Sequence, residues 1–297
     1  MHGSQLFGQQ PTFTGADFSI PEIAYFGFVH FRRAVATMDS WDDHAGMELV
    51  FVRSGEACWE YPDNRLFMVS GGQGVLFPPG HSHRIVGGVY TPCQLLWIEF
   101  RPEIAAKHDA RLIPSEEIAA LYELAMLPTA PVQLSDSLMR GLSELGNLLS
   151  DPDVLIGSRM LTAEIRAKLY TLLIDFWKIL AAGRAGTVHS PLVRRAQELL
   201  QSELNSEDDI TALPTRLGCS RSQLYQLFTQ EVGMAPNDYR QRLRIKQSCE
   251  RLTNSADHVT DIAMQMGFSS SQYFSRVFKK YIGVTPNSYR KLFRAAD

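Results

Sequence analysis

The sequence lacks several features that mark common protein classes. Its four cysteines are widely separated and form no CxxC pair, which argues against a disulfide framework and a cysteine zinc site. No uninterrupted apolar run approaches the ~20 residues of a membrane-spanning helix. The polar start, Met1 to Gln10, does not resemble a signal peptide. These absences predict a protein of the reducing cytoplasm without a membrane partner.

Catalytic motifs are missing as well. No Ser-His-Asp or Cys-His arrangement stands out, and no glycine-rich phosphate loop precedes a helix. We therefore predict a protein that is not an enzyme and that has no cofactor.

A strong net charge is also absent, but the total conceals two opposed halves. The 297 residues contain 29 basic and 32 acidic side chains, a net charge of −3. From Ser190 onward there are 15 basic and 11 acidic residues, a net of +4, against 14 and 21 before it, a net of −7. The two halves are therefore expected to meet different partners, and the length itself predicts two domains.

Short β-rich runs fill the N-terminal half, at residues 48–52, 57–61, 66–69, 74–77 and 94–100. Turn residues such as Ser54-Gly55 separate them. Many short strands at this spacing predict an antiparallel sandwich or barrel, which we assign to an effector-binding domain over residues 19–110. The arm before it, residues 1–18, has too little periodicity for a regular element, and closure over a ligand and disorder are the two alternatives for it.

After Pro114 the hydrophobic pattern becomes helical, and residues 111–180 are predicted to be a helical dimerisation element. One helix has the row Leu134, Leu138, Leu142, Leu145 and Leu149. A second has the row Ile165, Leu169, Leu172, Phe176 and Ile179, and another row at Tyr170, Leu173, Trp177 and Leu180. Burial inside its own domain and a dimer seam both explain the extra row. The glycine-rich residues 181–190 are predicted to be a linker.

Residues 191–297 are helical throughout and contain an internal repeat, because the stretch 222–240 recurs at an offset of 50 as 272–290. Six residues recur unchanged: Phe228, Gly233, Pro236, Asn237, Tyr239 and Arg240 become Phe278, Gly283, Pro286, Asn287, Tyr289 and Arg290. The repeat predicts two copies of one structural unit.

Each copy has the signals of a helix-turn-helix, predicted at about residues 208–233 and 258–283. A first helix ends at Gly218 or Gly267, because glycine adopts the left-handed conformation that stops a helix. The next helix, named here the reading helix, begins at once, with Ser220 and Ser269 as predicted N-caps.

Each reading helix has an inward apolar face and an outward polar face. Gln, Arg and Ser side chains hydrogen-bond base edges, and Lys side chains contact phosphates. The predicted DNA-binding residues are Arg221, Ser222, Tyr225, Gln226, Ser271, Gln272, Ser275, Arg276, Lys279 and Lys280. A merely solvated face is the alternative, which the duplication and a basic cluster on the intervening helix disfavour. That cluster comprises Arg240, Arg242, Arg244, Lys246 and Arg251.

The second unit contains DIA at 261–263, GF at 267–268, YFSRVFKK at 273–280, GVTP at 283–286 and YR at 289–290. This motif resembles the signature of the AraC/XylS family of bacterial transcription regulators. The resemblance covers the C-terminal domain and implies double-stranded DNA, RNA polymerase and a second copy of the chain as partners. It also implies base-contacting roles for Ser222, Gln226, Gln272 and Arg276.

One residue departs from the family pattern. Pro214 stands where the family usually has alanine, as Ala263 does in the second unit. Proline is tolerated only in the first turn of a helix. The first unit is therefore regular if its helix begins near Thr211 and distorted if it begins earlier.

The N-terminal half contains Asp42, His44, Glu48 and Gly55, followed by Gly72, Pro78, Gly80, His83 and Gly87. This spacing resembles the two cupin motifs, with Asp42 in place of the first histidine. The predicted fold is thus α+β with two domains: an N-terminal β-barrel of the cupin or jelly-roll type plus helices, and a C-terminal all-α double helix-turn-helix. In metal cupins such residues converge on a divalent ion, so Asp42, His44, Glu48 and His83 are an alternative metal set.

We favour a metal-free pocket for a small molecule, which family regulators with this domain usually have. The segments 76–80 and 100–102 are similar to arabinose-responsive members, although Ile85 and Leu95 replace polar residues of that site. A carbohydrate or similar polar metabolite is therefore the predicted effector, and arabinose itself is not favoured. The predicted ligand-binding residues are Arg32, His44, Glu48, Trp59, His83, Trp97 and Glu99. A metal-dependent cupin enzyme and a ligand-independent regulator remain alternative functions.

Overall fold

The computed structural model describes residues 12–37, 41–101, 130–150, 159–183, 190–204 and 210–294, with isolated positions between 117 and 123. The strands are β1 (Thr12–Thr14), β2 (Ile23–Phe31), β3 (Val35–Ala36), β4 (Met47–Glu60), β5 (Leu66–Ser70), β6 (Gln73–Phe77), β7 (Arg84–Ile85), β8 (Val89–Tyr90), β9 (Cys93–Phe100) and β10 (Val132–Gln133). The helices are α1 (Asp136–Leu149), α2 (Arg159–Gly183), α3 (Pro191–Ser202), α4 (Leu213–Arg216), α5 (Arg221–Val232), α6 (Pro236–Asn254), α7 (Val259–Gln265), α8 (Ser271–Ile282) and α9 (Pro286–Arg294). A sheet-rich N-terminal domain and a helical C-terminal domain confirm the predicted α+β fold class.

The N-terminal strands pair antiparallel in the order β1-β2-β9-β4-β6-β10, with β5 and β7 also on β4, while β3 and β8 form a separate pair. Among the described strands this order does not close into a ring. The predicted strands at 48–52 and 57–61 are one strand, β4. The pairing of β4 with β9 shifts register between Val52 and Ser54, where a turn was expected. A bulge bends a strand without ending it, so β4 pairs first with β9 and β6 and then with β5 and β7.

The prediction of an irregular arm is wrong for residues 12–18. Thr12–Thr14 pairs with β2, and Gly15–Phe18 forms a 3-10 turn. Phe13 and Phe18 pack on Phe26, with ring centroids 5.4 and 5.3 Å from it. A three-residue strand is too short to produce a periodic pattern, which is why the sequence did not indicate it. Residues 1–11 lie outside the described residues.

Two apolar clusters cover opposite faces of the sheet. Leu96, Ile98 and Phe100 of β9 pack with α1 and α2, whereas Leu95 and Trp97 belong to a cluster on the other face. This alternation follows from the period of two in a strand, as predicted. The helices therefore lie on one face, and the other face encloses the cavity described below.

Both apolar rows of α2 are buried within the chain. Leu173, Trp177 and Leu180 of the second row belong to the same cluster as Leu169 and Phe176 of the first. Because the sheet and α1 cover the second row, it does not supply the dimer seam that was one explanation for it. Residues 184–189 of the predicted linker lie outside the described residues. We find no described helix with the length and hydrophobicity needed to cross a bilayer.

The C-terminal domain contains the two predicted helix-turn-helix units, formed by α4 and α5 and by α7 and α8, with α6 as the connecting helix. Gly218 and Gly267 have φ of +67° and +72°, the left-handed values predicted for them. Ser220 caps α5, as predicted. The N-cap of α8 is Ser270, however, and not Ser269, because the second turn is one residue longer and the Ser270 hydroxyl accepts from Tyr273 N.

Pro214 lies in the first turn of α4, which begins at Leu213 after a 3-10 turn at Ile210–Ala212. A proline there removes no intrahelical hydrogen bond. The first unit is therefore formed, although α4 has 4 residues where α7 has 7.

Candidate nucleic-acid interface and effector cavity

The ten predicted DNA-binding residues all lie on the reading helices, and each is exposed or half-exposed. On α5, Ser222 and Gln226 are exposed, and the Arg221 guanidinium lies 5.1 Å from the Tyr225 ring centroid. The inward face is closed by Leu224 and Phe228, as predicted. Helical periodicity thus leaves one polar face of α5 open to a ligand as large as DNA.

The second reading helix presents the equivalent face. Gln272, Arg276 and Lys279 of α8 are exposed. Lys280 is also exposed, but its Nζ lies 3.9 Å from Oδ1 of Asp238. Arginine and glutamine side chains read base edges in a major groove, and lysine contacts phosphates. Two such faces in one domain match the geometry expected of a double helix-turn-helix.

The structure removes three members of the basic cluster of the connecting helix as support for DNA binding. Arg242, Arg244 and Lys246 are buried, at 5%, 7% and 7% exposure, and contact protein groups. Arg242 donates to Glu56 Oε1 at 2.6 Å, and Arg244 donates to the carbonyls of residues 204 and 267. These three side chains are not available to DNA, because the rest of the protein covers this part of α6.

A cavity lies on the face of the sheet opposite the helices, and two short segments help to close it. Asp42 and His83 form an isolated antiparallel bridge, with Asp42 N 2.8 Å from His83 O. Strand β4 contributes Glu48 and Trp59, which are brought to one cavity by the bend in that strand. The lining residues are Asp42, His44, Glu48, Val50, Trp59, His83, Tyr90, Leu95, Trp97 and Glu99.

Six of the seven predicted ligand-binding residues line this cavity, and Arg32 does not. Arg32 is exposed and follows the end of β2, so its position is outside the sheet that encloses the cavity. Tyr90 was missed, because it lies on a two-residue strand that has no readable period. Three aromatic rings, Trp59, Trp97 and Tyr90, thus share the cavity with carboxylates and imidazoles.

Opposite charges meet at the carboxylate of Glu48. Its Oε2 lies 2.9 Å from Nε2 of His83 and 3.2 Å from Nε2 of His44. Burial raises the pKa of Glu48, but the two imidazoles outweigh burial and hold that pKa well below its usual range. Burial lowers the pKa of His44, whereas the nearby carboxylates, Glu48 first, raise it to about 9. Burial and the Glu48 charge raise the pKa of Asp42 to about 6.

Three side chains of the alternative metal set converge. One ligand atom from each of His44, Glu48 and His83 lies within 4.8 Å of the others. Nδ1 of His83 lies 3.1 Å from the His81 carbonyl, which only accepts hydrogen bonds, so Nε2 is left to bind a proton or a metal ion. Imidazole nitrogen and carboxylate oxygen are ligands of Zn²⁺, Fe²⁺ and Mn²⁺. These three residues fit a divalent ion, and Asp42 lines the same cavity without joining the cluster.

Comparison with known proteins supports this division into two domains. Residues 36–152 match a family model described as an AraC-like ligand binding domain, and residues 213–292 match one described as a helix-turn-helix domain. The raffinose operon transcriptional regulatory protein RafR of Pediococcus pentosaceus is 33% identical over 150 residues, 50% of this chain and 53% of that protein. The HTH-type transcriptional activator RhaR of Klebsiella pneumoniae is 35% identical over 112 residues, 38% of this chain and 40% of that protein.

Among solved structures, the C-terminal domain of AraT, a response regulator from Geobacillus stearothermophilus, is 30% identical. The match covers 36% of this chain and 88% of that structure, with a TM-score of 0.34. The chain spans about half or less of the length of each of the two regulators named above. With an AraC-like ligand binding domain followed by a helix-turn-helix domain, it belongs to the AraC family of regulators.

Proposed function

We propose that this protein is a ligand-responsive, sequence-specific DNA-binding transcription regulator. The main support is the pair of exposed faces at equivalent positions of α5 and α8, each with glutamine and basic side chains outward. Duplicated reading helices contact successive major grooves on one side of a duplex. RNA polymerase is the partner through which a DNA-bound regulator of this kind would act.

The proposed effector is a carbohydrate or similar polar metabolite. Aromatic rings such as Trp97 offer flat apolar surface, and the carboxylates of Glu48 and Glu99 accept hydrogen bonds from hydroxyl groups. An anionic effector is disfavoured, because carboxylates outnumber the cationic groups that line the cavity. One relative is named for the raffinose operon, which agrees with an oligosaccharide or a sugar derived from it.

Two measurements test the proposal with the full chain. A random duplex pool is first selected for binding, and we expect a defined sequence to be enriched. A panel of neutral sugars and sugar acids is then screened by thermal shift, since a ligand specific for the folded state raises the melting temperature. Trp97→Ala should abolish that rise, whereas Trp41→Ala, outside the cavity lining and 40% exposed, should retain it. Failure to enrich any duplex sequence would refute the proposed function.

A homodimer is also part of the proposal, with a different face of α2 at its centre. Met160, Ala167, Ile174 and Ala181 recur every seven residues and are exposed, Met160 at 82% and Ile174 at 48%. Apolar residues at this period suit the seam of two helices. Ile174→Glu should therefore shift sedimentation from dimer to monomer, while Arg140→Gln, at an exposed position of α1, should not.

A metal-dependent role of the cavity is the second candidate function. The convergence of His44, Glu48 and His83 within 4.8 Å is the observation that favours it. A bound divalent ion would supply Lewis acidity or hold an effector with paired oxygens, and these three residues would hold the ion. The content of divalent metal per chain, measured by elemental analysis, distinguishes this candidate from a metal-free sugar site.

A further inference from the structure

The repeated residues of the C-terminal domain contact the N-terminal domain at equivalent positions. Tyr239 and its repeat counterpart Tyr289 both reach it through their hydroxyl groups. The Leu66 amide donates to the Tyr239 hydroxyl at 3.3 Å, and the Tyr289 hydroxyl donates to the Gly87 carbonyl at 2.8 Å. Each helix-turn-helix unit is therefore attached by the same repeat position.

A second repeated pair makes the same kind of contact. Gly233 and Gly283 end the two reading helices with φ of +78° and +81°. A Cβ on Gly233 would lie 2.1 Å from the Met68 carbonyl oxygen, and one on Gly283 would lie 2.6 Å from Cβ of Ala34. Both reading helices thus end against the N-terminal domain, while their outward faces remain exposed.

Packing within the C-terminal domain explains the tyrosine rings but not the contacts that their hydroxyl groups make with the N-terminal domain. The Tyr239 ring packs on Phe228 and the Tyr289 ring on Phe278, with centroids 5.3 and 5.5 Å apart. Each partner lies on the reading helix of the same repeat copy as the tyrosine. The Tyr289 hydroxyl reaches a backbone carbonyl 202 residues away in sequence. The Tyr239 hydroxyl accepts from the amide of Leu66, 173 residues away, and also from Nε2 of Gln201 in the C-terminal domain, each at 3.3 Å. Replacing tyrosine with phenylalanine therefore keeps the packed ring and removes the hydroxyl contact with the N-terminal domain, and at Tyr239 it removes the contact with Gln201 as well.

Apolar and ionic contacts extend this interface. Cys58, Leu66, Met68 and Val86 belong to the same cluster as the core of the first unit, and Val89 belongs to that of the second. Between them, Arg242 of the connecting helix pairs with Glu56, and Lys246 pairs with Glu60 at 3.1 Å. An interface that contains both cores, one buried ion pair and one ion pair whose acid is partly exposed holds the units in one arrangement.

The docking surface is the reverse side of the cavity wall. On β4, Trp59 lines the cavity, whereas its neighbour Glu60 contacts Lys246. On the adjacent segment, His83 lines the cavity, and the next residue, Arg84, contacts Glu60 at 2.5 Å. Alternate residues of a strand point to opposite faces. A change in the cavity wall therefore reaches the docked units through one layer of backbone.

We infer that the N-terminal domain is a template that docks both helix-turn-helix units through the same repeat positions and so fixes the separation of the reading helices. The inference rests on the proposed function, because the separation matters only if both helices engage one duplex. The docking partner of both helix-turn-helix units is the N-terminal domain of the same chain.

A disulfide trap tests the docking directly. A Cβ at position 87 would lie 3.9 Å from Cβ of Cys249, within the ~3.5–4.5 Å range of disulfides. Oxidation of full-length Gly87→Cys should therefore produce an internal 87–249 disulfide, identified by peptide mapping. Gly80→Cys has the same backbone conformation, φ of +69°, with nothing within 4 Å, and should not cross-link. Gly87→Cys combined with Cys249→Ser should not cross-link either.

The same trap tests whether the two units dock together. Tyr239→Phe in the Gly87→Cys background removes one hydroxyl from the first unit, whereas the disulfide reports on the connecting helix near the second. We expect the docking equilibrium constant to fall by about fivefold, the factor for one net hydrogen bond, and the yield at a fixed short oxidation time to fall as well. Tyr225→Phe, on the outward face of α5, should leave the yield unchanged. An unchanged yield with Tyr239→Phe would overturn joint docking.

DNA binding supplies the functional readout. On the duplex selected by the unmodified chain, cross-linked Gly87→Cys should bind at least as tightly as its reduced form. Tyr239→Phe combined with Tyr289→Phe should bind the duplex more weakly. It should also discriminate less against duplexes with one base pair inserted between the two contacted segments. Loss of binding on cross-linking, or unchanged discrimination, would overturn the inference. If the unmodified chain selects no duplex, the proposed function fails instead, whatever the cross-linking result.

Discussion

Nζ of Lys246 on the connecting helix lies 3.1 Å from Oε2 of Glu60, an acid on β4 that is 1% exposed. Arg84 contacts the other oxygen of the same carboxylate at 2.5 Å. One buried carboxylate thus joins a base beside the cavity to a base of the C-terminal domain. The pair is a structural contact between domains, in a helix whose basic cluster had counted as support for DNA binding.

Removing Lys246 should destabilise the protein. Lys246→Met leaves Glu60 with one cation instead of two, and we expect a loss of about 2 to 3 kcal/mol in the free energy of unfolding. The loss should be smaller than for a fully isolated charge because Arg84 remains. Urea denaturation measures it, with Lys178→Met as a control that removes an exposed pair with Asp175. Equal losses in both variants would contradict a buried role for Lys246.

Two glycines with a left-handed backbone allow the stability cost of backbone strain to be measured apart from the cost of a clash between domains. Gly218→Ala should cost about 1 kcal/mol of stability, because its φ is +67° and nothing lies within 4 Å of the new Cβ. Gly233→Ala has the same conformational cost, and its Cβ also meets the Met68 carbonyl at 2.1 Å. We expect the second variant to lose at least about 2 kcal/mol more, measured by thermal unfolding. Similar losses would mean that the two domains do not approach closely at Gly233.

Arg276 and Lys279 should contribute to DNA binding in different ways. Both are exposed on α8. Arg276 lies on the face proposed to read bases, and Lys279 lies nearer the C-terminal end of the helix. Arg276→Ala should cost ~1–3 kcal/mol of binding energy and relax the preference at one base position. Lys279→Ala should weaken binding to all sequences alike. It should also reduce the slope of log affinity against log salt concentration by about one. Titrations of the selected duplex and of its single-base variants measure both effects, and equal, sequence-independent losses would contradict a reading role for Arg276.

The metal candidate has a direct test in the cavity. If the protein is a metal protein, purification without chelators should yield about one divalent ion per chain by elemental analysis, and His83→Ala should lose it. His81→Ala is the matched control, because that side chain is exposed and outside the cavity lining. For the favoured metal-free sugar site, we expect less than a tenth of an ion per chain in all three proteins. Stoichiometric metal that depends on His83 would overturn that expectation.

The reading faces could be predicted because their pattern is local. The burial of Leu224, Phe228, Phe274 and Phe278 follows from the helical period, and the outward positions are then determined. The cavity residues on β4 and β9 follow in the same way from the period of two. Tyr90 and Arg32 could not be assigned correctly, because one lies on a two-residue strand and the other beyond a strand end.

The two domains, the duplicated helix-turn-helix units and the outward side of each reading helix follow from the sequence, since all of these depend on residues within a few turns of one another. The contacts of the connecting helix follow only from the packing of the two domains. Arg242 and Glu56 are 186 residues apart, and their pairing depends on how two whole domains pack. Burial converts a basic face into a domain contact when acids of the other domain cover it, and no local periodicity reports that event.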